Sequence, residues 1–175
     1  MKRIKWKLLI LLPVLCLFIL LPALFIPYRS ALVFHYQNTD KVLAFIPLER
    51  NDTFKIRYTH SIHLTDVEES YRITENRKIR QYELMYENYA IGMPENASEG
   101  EKFVRRNGKF YIKNMNRVFP FFDLRTGQVR ANHRVIVSDH EYPLSDYIKP
   151  GTWIRIRFEK MNLIQQMKGA NILEP

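Results

Sequence analysis

Cysteine is almost missing from this chain, with one in 175 residues, Cys16, inside an apolar run near the N-terminus. No disulfide can therefore staple the remainder, and paired-cysteine metal sites are excluded. Glycine is also scarce: there are six, none in a GxGxxG or Walker arrangement, so a glycine-rich phosphate cradle is absent. The chain has no HExxH, EF-hand loop, GxSxG elbow or SxxK. His60 and His63 point to opposite faces if extended, and His35, His133 and His140 come from distant stretches, so neither a metal nor a cofactor is expected. There is no block of like charge, helix-turn-helix or RNA-recognition signature, which leaves no basis for nucleic-acid binding.

What is there is aromatic and strand-forming, with ten Tyr and eleven Phe. The formal net charge is +9, but Lys2, Arg3, Lys5 and Lys7 supply four of it. The other 23 basic residues face 18 acidic ones and are spread through the strands. A mildly basic domain held close to anionic lipid or wall polymer fits that balance.

Leu8 to Ile26 is a nineteen-residue stretch without charge. As a helix it spans about the 30 Å of a hydrocarbon core. Pro13 and Pro22 are tolerated in such a segment. The basic residues before it place the N-terminus in the cytoplasm and the body outside. Small residues at −3 and −1 of a cleavage site are lacking around Pro27 to Ala31, and Leu15 rather than a small residue precedes Cys16. The expectation is thus an uncleaved signal anchor over residues 1–27 and an extracytoplasmic domain over 28–175, a cleaved signal peptide being the alternative.

The body reads as short strands with regular turns: Ala31 to Tyr36, Val42 to Ile46, a hairpin described below, and a run from Ile79 with a bulge near Gln81. Glu87 to Gly108 is the least regular part. Lys109 to Met115 begins another sheet segment, and Pro120 makes the apolar run around it an edge or lip. His133 to Ser138 and Thr152 to Phe158 alternate cleanly, Pro143 to Tyr147 suggests one helical turn, and only Met161 to Lys168 invites a helix. The fold class expected is all-β, an antiparallel sandwich or open barrel of about eight to ten strands, after one N-terminal transmembrane helix.

The chain's chemistry concentrates in Tyr58 to Tyr71. Phe54, Ile56 and Tyr58 share one strand face, and continuing the alternation puts His60 on it too. On the return strand Val67, Glu69, Tyr71 and Ile73 share a face. A four-residue loop, Ile62 to Thr65, would set Tyr58 opposite Glu69 with His60 diagonal to it. A half-buried carboxylate beside an imidazole and a phenol must be paired or lose its charge. Such a cluster either pins the hairpin register or forms a ligand or acid–base site. Ser61 cannot use His60 as its base, because adjacent strand residues point apart. Trp153, Arg155 and Arg157 offer a second grip for an anionic or sugar ligand, although the wet face of an exposed strand is the commoner explanation of such residues.

The run from Tyr58 to Ile73, with Gly92-Met93-Pro94 after a later strand, resembles the domain-of-unknown-function family 1850. The resemblance rests on Tyr58, His60, Ser61, Val67, Glu69, Tyr71, Gly92 and Pro94, with Met93 where leucine is commoner. It covers residues 55 to 95 well and Tyr142 to Phe158 loosely, and His63 falls outside the family pattern. Genes of that family often adjoin TRAP-type permeases of the TAXI subfamily. The resemblance therefore implies a non-enzymatic accessory that binds such a permease or its solute-binding protein. Its working surface would use Tyr58, His60, Ser61, Glu69, Gly92, Met93 and Pro94. The alternative is an envelope enzyme or small-ligand receptor using His60 and Glu69.

Overall fold

Period-two alternation dominates the body and produces two sheets. The computed structural model describes residues 18, 21–62, 64–87, 93–128 and 130–174. In chain order the strands are β1 (Arg29–Tyr36), β2 (Val42–Pro47), β3 (Thr53–Thr59), β4 (Asp66–Ile73), β5 (Ile79–Tyr86), β6 (Lys102–Arg106) and β7 (Lys109–Phe119). After them come β8 (Phe121–Arg125), β9 (Arg134–Val137), β10 (His140–Pro143), β11 (Trp153–Met161), the short helix α1 (Leu163–Lys168) and β12 (Ala170–Asn171). One sheet runs β12-β2-β1-β11-β8 and the other β10-β9-β3-β4-β5-β7-β6. The pairs are antiparallel except β12 with β2. The two sheets do not close into a barrel. The described strands number twelve, more than the eight to ten expected, because β6, β10 and β12 carry weak signals.

The main core lies between the sheets, with Leu32, Phe34 and Ile156 from one and Phe54, Ile56 and Ile79 from the other, all essentially inaccessible. The larger sheet extends past the smaller. Its β4, β5 and β7 carry a second cluster, Val67, Leu84, Tyr86, Phe110, Ile112 and Met115, against which Met93, Ala97 and Phe103 pack. Pro120 marks the crossing between sheets: β7 ends at Phe119 in one and β8 begins at Phe121 as an edge of the other. A proline donates no ladder hydrogen bond, so a break is the natural place for it. Gly151, at φ +85°, supplies the left-handed position of the turn before β11.

The β4–β5 ladder shifts register by one residue at Tyr82, the bulge anticipated near Gln81. Residues 1–17, 19 and 20 lie outside the described residues, and with them most of the expected anchor. Among the described residues no helix is long and apolar enough to cross a membrane.

Candidate functional site

The β3–β4 hairpin differs from the expected one by a two-residue slip. Thr59 pairs with Asp66, Tyr58 with Val67 and Ile56 with Glu69, so the ladder closes at Thr59 and Asp66. An even slip keeps every side chain on its expected face, because the strand period is two. It does move His60 off the ladder and into the turn. There its N–H donates to the Thr65 carbonyl at 2.8 Å, and its Nδ1 accepts from the Ile62 N–H at 3.3 Å. The longer turn is pinned from outside, since the Thr59 N–H donates to the Ala131 carbonyl at 2.8 Å.

Glu69 stays on the inner face. Its Oε2 accepts from the Tyr71 hydroxyl at 2.7 Å, and among the described residues no hydrogen bond joins it to His60. Burial pushes the Glu69 carboxyl above the usual carboxylate range, opposed in part by the Tyr71 hydroxyl and the charge of Arg117. Tyr58 is diagonal to Glu69, and burial with the nearby Glu69 charge pushes its phenol up to about 12. Tyr58 also stacks on His133, centroids 5.3 Å apart. The His133 Nδ1 accepts from the Gly127 N–H at 3.1 Å, and burial lowers its pKa, favouring the neutral ring.

Tyr71 is held in a stack of three rings, Phe54 on one side and Phe122 of the other sheet on the opposite side, each 5.1 Å away. Beyond this lies a second carboxylate, Glu101. Its Oε2 accepts from the Ser98 N–H at 3.0 Å and its Oε1 from Arg117 at 3.3 Å. The inner face therefore holds a polar seam of Tyr58, Glu69, Tyr71, Arg117 and Glu101 next to the second apolar cluster. Glu69 and Tyr71 were legible from alternation on one strand. Arg117, Glu101 and His133 come from far along the chain, and no local pattern announces them.

The Met93-Pro94 turn closes over this same cluster. Met93 packs on it, as Tyr58 does, and the Pro94 carbonyl accepts from the buried Tyr86 hydroxyl. Gly92 lies outside the described residues. The structure thus brings Tyr58, Glu69, Met93 and Pro94 to one face of the larger sheet, while His60 and exposed Ser61 belong to the turn beyond it.

That turn is the most apolar exposed point of the β3–β4 ribbon: Ile62 and Leu64 are each 60 % exposed. Just behind it the outer face of the ribbon is stiffened by charge. Glu68, nearly buried, accepts from Lys55 at 2.8 Å and from Arg57 at 2.6 and 3.0 Å. Arg57 continues to Glu141, and Arg134 reaches Asp66 at 3.2 Å and Glu141 at 3.3 Å. Burial alone would raise the Glu68 carboxyl, yet the hydrogen bonds from Lys55 and Arg57 bring it below its ordinary value.

The second grip considered above is largely committed. Arg155 makes a bidentate pair with Asp123 at 2.8 and 2.9 Å and lies 3.9 Å from the Phe121 ring centroid. Arg157 stands 3.7 Å from Glu159. Trp153, Gln37 and Asn38 border a shallow cavity of about 370 Å³ beside Arg155, and the solvated-face reading accounts for the ion pairs.

Comparison with known families gives one match: the model described as a domain of unknown function, DUF1850, aligns with residues 54–144, just over half of the chain. No curated protein and no solved structure matches.

Proposed function

The chain belongs to the DUF1850 family, and on that footing we propose that it is a membrane-anchored extracytoplasmic binding module that docks a TRAP/TAXI-type permease or its solute-binding protein. The β3–β4 turn is the contact. One observation carries this reading: two large aliphatic side chains, Ile62 and Leu64, stand well exposed at the tip of a ribbon whose base is locked by ion pairs. Exposed aliphatics on a preorganised support suit an interface, because little order is lost on binding. Ser61 and the backbone of the turn supply a polar rim.

Residues 8–26 would lie in the bilayer, with the N-terminus cytoplasmic. The exposed Phe18, Leu21, Phe25 and Ile26 side chains suit burial in lipid. Glu69 acts in this reading as a positioning group, fixing Tyr71 in the seam beside the apolar cluster on which the Met93-Pro94 turn packs. His60 shapes the tip.

The test is co-purification from native membranes in mild detergent. Wild-type protein is expected to carry transporter subunits, and the double substitution Ile62→Glu with Leu64→Glu to lose them. Two hot-spot contacts of about 2 kcal/mol each predict at least a hundred-fold weaker binding, with the thermal midpoint unchanged because both side chains face solvent. A solitary monomer, or a complex indifferent to the double substitution, contradicts the reading.

A further inference from the structure

We propose that the groove on the outer face of β4, β5 and β7 binds a tetrahedral oxyanion, a phosphoryl or sulfuryl group, between Arg72 and Arg80. These two arginines are direct partners in the β4–β5 ladder. Like charges placed opposite each other across a strand pair repel and destabilise it. Elsewhere in the interior of this face the cations are matched, Lys55 and Arg57 by Glu68, Lys113 by Glu83 at 3.0 Å and Lys109 by Glu87 at 3.0 Å, whereas Lys102 and Arg106 stand on the open edge strand β6 opposite Lys113 and Lys109. Arg72 and Arg80 have no carboxylate partner among the described residues. Arg72 instead lies over the Tyr82 ring, 5.6 Å from its centroid, and the Arg80 Nε is buried with no hydrogen-bond partner. A buried donor left unmade is costly. The Nε atoms of Arg134 and Arg157 are unpartnered too among the described residues, but their other nitrogens meet carboxylates, whereas the opposed Arg72 and Arg80 have none, which suits an acceptor that both cations share.

The groove that receives such an acceptor has a local cause. Between Lys113 and Arg117, β7 spends more residues than β5 does between Gln81 and Glu83, so it bulges at Asn114, whose φ is +61°. The bulge opens a cavity of about 450 Å³ lined by Arg72, Arg80, Tyr82, Lys113, Asn114 and Asn116, with Glu83, already bridged by Lys113, at its side. Two guanidinium groups, an ammonium and two amides present a surplus of N–H donors. A single carboxylate satisfies one guanidinium fork, whereas a tetrahedral oxyanion has oxygens for both. The oxyanion belongs either to a free or polymer-borne group or to a phospholipid headgroup, and the chemistry at the arginines is the same. This site is independent of the docking tip, which lies at the end of the ribbon.

The experiment uses the full chain in neutral detergent and follows the thermal midpoint. Inorganic phosphate and sulfate are titrated against chloride at matched ionic strength. In a parallel arm the chain is reconstituted into vesicles of phosphatidylcholine with or without phosphatidylglycerol. Wild type is expected to gain several degrees with phosphate or sulfate if the group is free, or with phosphatidylglycerol only if it is a headgroup. Arg72→Gln and Arg80→Gln should each weaken the response at least tenfold. Without anion both should melt at or above the wild-type temperature, because the repulsion is gone. Arg105→Gln, on β6, should respond as wild type does. A wild-type midpoint indifferent to all three anions overturns the proposal. So does a response that survives in the arginine variants, or variants that melt lower while still responding.

Discussion

Tyr71→Ala is expected to destabilise the domain by about 3–5 kcal/mol, the range for removing a large aromatic ring from a packed core. The ring joins Phe54 of its own sheet to Phe122 of the other at 5.1 Å each, so its loss opens a void where the sheets meet. Tyr71→Phe separates the two roles of the side chain. It keeps the stack and deletes only the hydroxyl that holds Glu69 at 2.7 Å. A hydrogen bond to a charged group contributes about 1.5–3 kcal/mol. The phenylalanine variant should therefore fall between wild type and alanine in urea denaturation, with the Glu69 carboxyl pushed higher still for want of its donor. An alanine variant within 1 kcal/mol of wild type would mean that the stack does not join the sheets.

Glu68→Ala is the second large effect. Removing one partner of a buried charge pair typically costs about 3–5 kcal/mol, and partial exposure of Lys55 and Arg57 lets them rehydrate, so about 2–3 kcal/mol is expected here. The neighbouring carboxylates respond to pH with opposite sign. The folded pKa of Glu68 is lowered, so its contribution is present above its unfolded value, about 4.3, and is lost as pH falls through the folded value. The folded pKa of Glu69 is raised. Its contribution is fully present below about 4.3 and is lost as pH rises through the folded value. His133, lowered by burial, adds a loss as pH drops below about 6.5. Urea midpoints measured across this range should show Glu69→Gln removing a decline toward higher pH and Glu68→Gln removing a decline toward lower pH. The same slope change in both variants would refute the assignment.

Much of the fold was legible because alternation reports which face a residue takes. Glu69 and Tyr71 were correctly given a shared inner face, and the bulge at Tyr82 was visible as a broken rhythm. Pairing register was not legible. It is set by contacts outside the hairpin, with Thr59 tied to Ala131 and β3 paired to β9 on its other side, and local spacing carries no trace of these. The two-residue slip removed the proposed His60–Glu69 pair while leaving each residue on its expected face. Strand β6 has no local signal because it is a largely exposed edge with no apolar stripe. The opposed arginines of β4 and β5 are invisible in the sequence for the same reason as the register: nothing local says that residue 72 meets residue 80.

A photo-crosslinking residue placed at position 62 of the full chain in native membranes tests the docking claim most directly, with the same residue at Thr39, in the β1–β2 turn, as the control. The account predicts an adduct with a permease or solute-binding subunit from position 62 and none from position 39. Adducts from neither position, or the same adduct from both, would contradict it.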